Sequence, residues 1–187
     1  AVRESMVLLK NTHGVLPIKP KSKLLVAGVG AQLLSMQTGG WSVTWQGREA
    51  ANEKFPGATS IFKGLADALK AVGGSAEYNE TGSFTAKPDV AVVVMGEAAY
   101  AEVQGDIQNL ATLELEAADK TGLKLLQKFK AQGIPVVAVL LSGRPLWVNK
   151  ELNAADAFVA AWQPGTEGAG VADVLVAKSD GTPNADF

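Results

Sequence analysis

The chain has 187 residues, 47% apolar and 19% charged, the composition of one globular domain with a sizeable core rather than of a disordered segment. Its net charge of −2, with no basic block, argues against a nucleic-acid partner. It has no cysteine, which excludes disulfides, thiol catalysis and thiolate-bound metal, and no apolar run of about 18 residues, so no membrane span is predicted.

In chain order, Val2 to Leu9 opens on a helical pattern with neither an initiator Met nor a signal peptide. The chain closes abruptly at Asn184-Ala185-Asp186-Phe187, and the two ends together lead us to expect a piece of a larger protein. His13 reads as a turn residue in Asn11-Thr12-His13-Gly14. Leu24 to Val29 is an apolar run closed by glycine, hence a strand. Residues 31 to 57 carry little periodicity and several glycines, and a loop of that length in a compact domain is usually functional. Thr59-Ser60 caps a helix with Ile61, Leu65, Ala68 and Leu69 on one face, ended by Gly73-Gly74. Ala76 to Tyr78 is a short strand, and Val90 to Met95 is a strand buried on both faces. Thr112 to Lys130 is a helical pattern with a possible break at Gly122. Pro135 to Leu141 and Ala157 to Trp162 are further strands; Leu146 to Leu152 and Glu167 to Ala177 are predicted helices.

Strands that alternate with helices imply a mainly parallel sheet sandwiched between helices, an α/β sandwich of flavodoxin-like type in a single domain over residues 1–187. In such sheets ligands collect past the carboxyl ends of the strands. Four loops should share that edge. The first holds Trp41 and Trp45 inside Thr38-Gly39-Gly40-Trp41-Ser42-Val43-Thr44-Trp45-Gln46-Gly47. The second holds three carboxylates, Glu97, Glu102 and Asp106, within eleven residues. The third is Ser142-Gly143-Arg144-Pro145, and the fourth is Gln163-Pro164-Gly165-Thr166-Glu167-Gly168.

Two tryptophans in one polar, Gly-rich loop favour a ligand platform over core packing. An indole offers a broad apolar face and one N–H donor, which suits a sugar ring with its C–H faces and hydroxyl rim. A carboxylate at a strand end can be partly buried, raised in pKa and offered to that ligand. The single histidine, His13, rules out a His-ligated metal cluster, and no cofactor is expected. Gly28-Val29-Gly30 has Leu33 where a dinucleotide fingerprint needs its third glycine.

These segments together resemble the C-terminal α/β sandwich domain of glycoside hydrolase family 3, in its β-glucosidase and β-D-glucan exohydrolase branch. The likeness is carried by Glu4 to Asn11, Gly39-Gly40-Trp41-Ser42-Val43-Thr44-Trp45-Gln46-Gly47, Gly96 to Asp106, Ser142 to Pro145 and Ala160 to Gly168. The resemblance implies a retaining, exo-acting enzyme of two domains around one pocket. A preceding N-terminal barrel would supply the nucleophilic aspartate. This domain would supply the general acid/base, at Glu102 by motif position, and a wall of the pocket. Trp45 matches a tryptophan that clamps the next sugar and Trp41 a neighbouring pocket tryptophan; Glu97 matches a motif acid with no assigned chemistry. The implied partners are a β-glucoside or β-glucan oligosaccharide and the barrel, with no nucleic acid and no membrane; the implied location is periplasmic or secreted. Without the barrel the chain is expected to be inactive, because a retaining glycosidase needs two carboxylates about 5–5.5 Å apart. A stand-alone carbohydrate-binding module using the tryptophan loop is the alternative, and a flavodoxin-like nucleotide-binding or signalling domain a third reading.

Overall fold

The computed structural model describes residues 1–187, the side chains of Glu116 and Ala117 excepted. Six strands form one sheet: β1 (Val7–Asn11), β2 (Lys23–Ala27), β3 (Ser75–Tyr78), β4 (Val90–Gly96), β5 (Val136–Leu141) and β6 (Ala157–Trp162). Their spatial order is β1-β6-β5-β4-β2-β3. All pairings are parallel except β1 with β6. The helices are α1 (Val2–Ser5), α2 (Leu34–Thr38), α3 (Ile61–Ala71), α4 (Leu115–Ala118), α5 (Gly122–Ala131), α6 (Asn149–Ala154) and α7 (Gly168–Leu175). The mainly parallel, helix-sandwiched architecture is the one the alternation of strands and helices predicts. Among the described residues no helix is long and apolar enough to cross a membrane.

The strand patterns follow from position in the sheet. Every residue of β4 and β5 is buried, because both faces of a central parallel strand are covered. Alternate residues feed two cores. Val92, Val94, Val137 and Val139 pack with Ile61, Leu65 and Leu69 of α3 and Val171 and Leu175 of α7. Val93, Met95, Ala138 and Leu140 pack with Leu125, Leu126 and Phe129 of α5 and with Leu115. Each fully buried Leu, Ile or Phe here contributes about 1.5–3 kcal/mol. Ser60 caps α3 as expected, accepting from the Lys63 N–H at 3.1 Å. Gly64 lets α3 meet the start of α7: a Cβ there would lie 2.7 Å from the Gly168 carbonyl oxygen.

Three expectations need correction. The helical pattern from Val2 to Leu9 holds only over Val2–Ser5; Val7–Asn11 is an edge strand, antiparallel to β6. Apolar residues in a short segment fit either period, and pairing with an otherwise bare sheet edge decides between them. The helix expected over Leu146 to Leu152 begins at Asn149 instead. Trp147 is drawn into a parallel bridge with Glu114, and its N–H donates to the Leu113 carbonyl at 2.9 Å. The final helix is shorter than Glu167 to Ala177, spanning Gly168–Leu175, because Ile18 pairs with Val176 beyond its end. The break at Gly122 is real: α4 stops at Ala118 and α5 starts at Gly122, with Asp119 accepting from the N–H groups of Thr121 and Gly122 at 2.9 Å each.

Candidate active site

The loops that follow β2, β4, β5 and β6 meet at the carboxyl edge of the sheet, as the parallel reading requires. The loop after β2 returns over the edge as a tight excursion. Its root is Gln37, fully buried, whose side chain donates to the carbonyls of Gly165 (3.1 Å) and Thr59 (3.3 Å) and accepts from the Ile61 N–H (3.0 Å). One amide thus joins the tryptophan loop, the start of α3 and the loop after β6. The excursion is pinched where the Trp41 N–H donates to the Trp45 carbonyl at 2.8 Å. Trp41 and Val43 have φ of 61° and 70°, an unusual state for side chains of that size. Gly40 is needed for close approach: a Cβ there would run into the Tyr100 carbonyl of the neighbouring loop.

The excursion presents both indoles to the outside. Trp41 is 70% exposed and Trp45 48%, so neither is a core residue. Their ring centroids lie 6.3 Å apart at 46°. Both N–H groups converge on one carboxylate, that of Glu102. Trp41 Nε1 donates to Glu102 Oε2 at 3.0 Å and Trp45 Nε1 to the same oxygen at 2.8 Å. The three residues singled out from the sequence therefore form a single cluster, although Glu102 lies 57 positions from Trp45.

For the full-length protein, a strand-end position beside Val94, Met95 and Tyr100 leads us to expect Glu102 to be partly desolvated and raised in pKa. Within this domain its carboxylate is not enclosed. Val94 and Met95 instead point into the two cores, and Glu102 stands exposed at the tip of its loop. Its carboxyl is held below the ordinary range, first by the Trp45 indole and also by that of Trp41, since donors to the ionised form favour it.

Glu97, five residues earlier, lives in the opposite setting. Its side chain is 9% exposed and that of Arg144 is 13% exposed. Arg144 Nε lies 3.3 Å from Glu97 Oε1, and the Tyr100 hydroxyl donates to Glu97 Oε2 at 3.1 Å. Arg144 Nε also donates to that hydroxyl at 2.7 Å, its Nη1 to the Gly105 carbonyl at 2.7 Å, and its guanidinium lies 3.9 Å over the Tyr100 ring. Burial pushes the Glu97 carboxyl up, and Arg144 and Tyr100 pull it part of the way back.

Three supporting residues carry no role in the sequence analysis, Gln37, Gln46 and Arg144, and Tyr100 enters it only as an apolar neighbour of Glu102. Gln46, 6% exposed, donates to the Glu102 carbonyl at 3.0 Å and accepts from the Ala101 N–H at 2.9 Å. The available signal is their place inside the motif-bearing loops; their partners include residues 44 to 128 positions away, which no local pattern names. Asp106, the third acid of the loop, is half-buried, and its carbonyl accepts from the Asn109 N–H at 2.9 Å. His13 lies in the turn after β1, with φ of 58°. Among the described residues no group of three or more His, Cys, Asp or Glu side chains could hold a metal ion.

Comparison with known proteins gives this edge its setting. The model of the glycosyl hydrolase family 3 C-terminal domain matches residues 6–183. A lysosomal beta glucosidase of Dictyostelium discoideum is 32% identical over 88% of the chain and 22% of its own length. A periplasmic beta-glucosidase of Salmonella typhimurium is 31% identical over 92% of the chain and 25% of its own. The structure of an exo-1,3/1,4-beta-glucanase from a Pseudoalteromonas species superposes with a TM-score of 0.94 at 57% identity, covering all of this chain and 23% of that one. A beta-glucosidase from Listeria innocua, in complex with isofagomine, gives 0.71 at 28% identity over 93% of this chain and 24% of its own. The chain thus spans about a quarter of the length of these relatives. It belongs to glycoside hydrolase family 3, as a C-terminal domain of the β-glucosidase and β-glucan exohydrolase branch.

Proposed function

We propose that Glu102 is the general acid/base of a retaining, exo-acting β-glucosidase or β-glucan exohydrolase, and that Trp41 and Trp45 form one wall of its sugar pocket. The nucleophilic aspartate would come from an N-terminal barrel in the same full-length protein, which would be periplasmic or secreted. The observation that carries the reading is the convergence of two exposed indole N–H groups on one exposed carboxylate. A carboxyl placed between two stacking surfaces can reach the oxygen of a glycosidic bond whose sugars lie on those surfaces. Glu97 is the weaker candidate, because Arg144 and Tyr100 already occupy both its oxygens.

Glu102 would first protonate the departing sugar oxygen, then, ionised, take a proton from the water that releases the glycosyl-enzyme. In the open edge the indoles hold it ionised. A sugar and a second domain laid over it would remove water and push its pKa up, as an acid working near neutrality needs.

The test is azide rescue in the full-length protein. Glu102→Ala is expected to accumulate a glycosyl-enzyme with 2,4-dinitrophenyl β-glucoside, whose leaving group needs no proton, and to be reactivated by azide, which needs no base. Rescue of Glu97→Ala beside a near-normal Glu102→Ala would reverse the assignment. The chain alone is expected not to hydrolyse aryl β-glucosides; turnover by the purified chain that Glu102→Ala abolishes would show that no outside nucleophile is required.

A further inference from the structure

We propose that Gln46 is a positioning residue for Glu102: its side-chain amide locks the acid/base to the tryptophan loop, so that the sugar platform and the proton donor move as one body. This rests on Glu102 being the acid/base.

The geometry is specific. Gln46 directly follows Trp45 in the chain. Its Oε1 accepts from the Ala101 N–H at 2.9 Å and its Nε2 donates to the Glu102 carbonyl at 3.0 Å. The two contacts bracket the backbone from which the Glu102 side chain springs. A carboxamide offers donor and acceptor together without charge, and glutamine has the length to reach both from a neighbouring loop. Gln46 as a whole is 6% exposed, so water competes poorly for either bond.

The segment it holds is strained. Val103, immediately after Glu102, has φ of 73°, which a β-branched residue adopts only when its surroundings over-determine it. Four further contacts fix the same loop. The Arg48 Nε donates to the Ala99 carbonyl at 3.0 Å, and Arg144 Nη1 to the Gly105 carbonyl at 2.7 Å. The Gly105 N–H donates to the Ala101 carbonyl at 2.8 Å, and Asn109 Nδ2 to the Val103 carbonyl at 2.6 Å. These hold the loop to itself, to Arg48 of the loop after β2 and to the loop after β5. Gln46 ties the peptide groups beside Glu102 to the residue beside Trp45. A general acid displaced by about 1 Å can lose about 10²-fold in rate, so loss of this tether should weigh most on the proton-transfer steps.

The test uses the full-length protein. Gln46→Met keeps the volume and removes both hydrogen bonds. kcat/KM is measured for a glucosyl disaccharide, which needs its leaving oxygen protonated, and for 2,4-dinitrophenyl β-glucoside, which does not. The expected result is a loss of about 10- to 100-fold on the disaccharide and of less than about 3-fold on the aryl glucoside, with kcat on the latter raised by azide. Gln46→Asn, which keeps the amide but falls one methylene short, is expected to show the same selectivity, and it serves if Gln46→Met fails to fold. Equal losses on both substrates, or none on either, would overturn the inference. The azide rescue of Glu102→Ala separates the two levels. If it fails, the assignment of Glu102 falls; if it succeeds while the Gln46 variants show no substrate selectivity, only the tether falls.

Discussion

The root and the tip of the loop after β4 carry the same side chain in opposite states. At the root, Glu97 is nearly buried, paired with Arg144 and pushed up in pKa by the loss of water. At the tip, Glu102 is exposed and pulled down by two indole donors. The root is built so that the loop leaves the sheet in one direction. The tip is built so that a carboxylate is presented with its orientation fixed and its surroundings left to whatever docks there. Five positions along one loop suffice to separate an enclosed carboxylate from a presented one, because only the first is paired with the loop after β5.

The largest expected difference between them is in rate. In the full-length protein Glu102→Gln is expected to lower turnover of a glucosyl disaccharide by about 10²–10⁴-fold with little change in melting temperature. Glu97→Gln is expected to leave turnover within about tenfold. Similar losses for the two variants would erase the distinction.

Next comes stability. Arg144→Met leaves Glu97 nearly buried with its cationic partner gone and is expected to cost about 3 kcal/mol at pH 7, read from urea denaturation. The cost should shrink as pH falls toward 4, because a protonated Glu97 needs no cation. A loss independent of pH would mean that Arg144 acts through packing on Tyr100 instead.

A smaller effect is the pH slope that Glu97 itself imposes. Its folded pKa lies above the ordinary 4.5, so the folded state holds this proton more tightly than the unfolded one. Its contribution to stability is therefore full below 4.5 and is lost as pH rises through the raised value. The difference in unfolding free energy between the native protein and Glu97→Gln should fall across that window; a rising difference would mean that Arg144 outweighs desolvation.

The finest effect sharpens the tip. Trp45→Phe and Trp41→Phe each remove one donor to ionised Glu102 and should raise its pKa, Trp45→Phe the more, as followed by the carboxyl carbon shift in NMR titration. No change in either variant would break the link between indoles and acid.

How much of this is legible in the sequence depends on how local the cause is. β4, β5 and β6 can be read nearly to the residue, because strands covered on both faces leave unbroken apolar runs. The cap at Ser60 and the break at Gly122 are equally local. β1 reads as helix, since an edge strand shows an exposed and half-buried alternation that its own sequence does not distinguish from a helix turn. At the site, Trp41, Trp45 and Glu102 can be named from their motifs, but the open surroundings of Glu102 in this domain cannot. Val94 and Met95 at the strand end turn inward, while Glu102 at the loop tip turns out.

The sequence by itself determined the fold class, the edge at which the motif loops gather and the three residues that cluster there, because alternating elements, turn glycines and motif loops are written in short stretches. Tertiary structure alone decided what those residues experience. The two indoles meet Glu102 across 57 and 61 positions, Arg144 meets Glu97 from another loop, and Gln46 grips a backbone 55 positions away. Hydrogen bonds and desolvation act over a few ångströms in space, and proximity in space between distant segments exists only once the sheet has brought its loops to one edge.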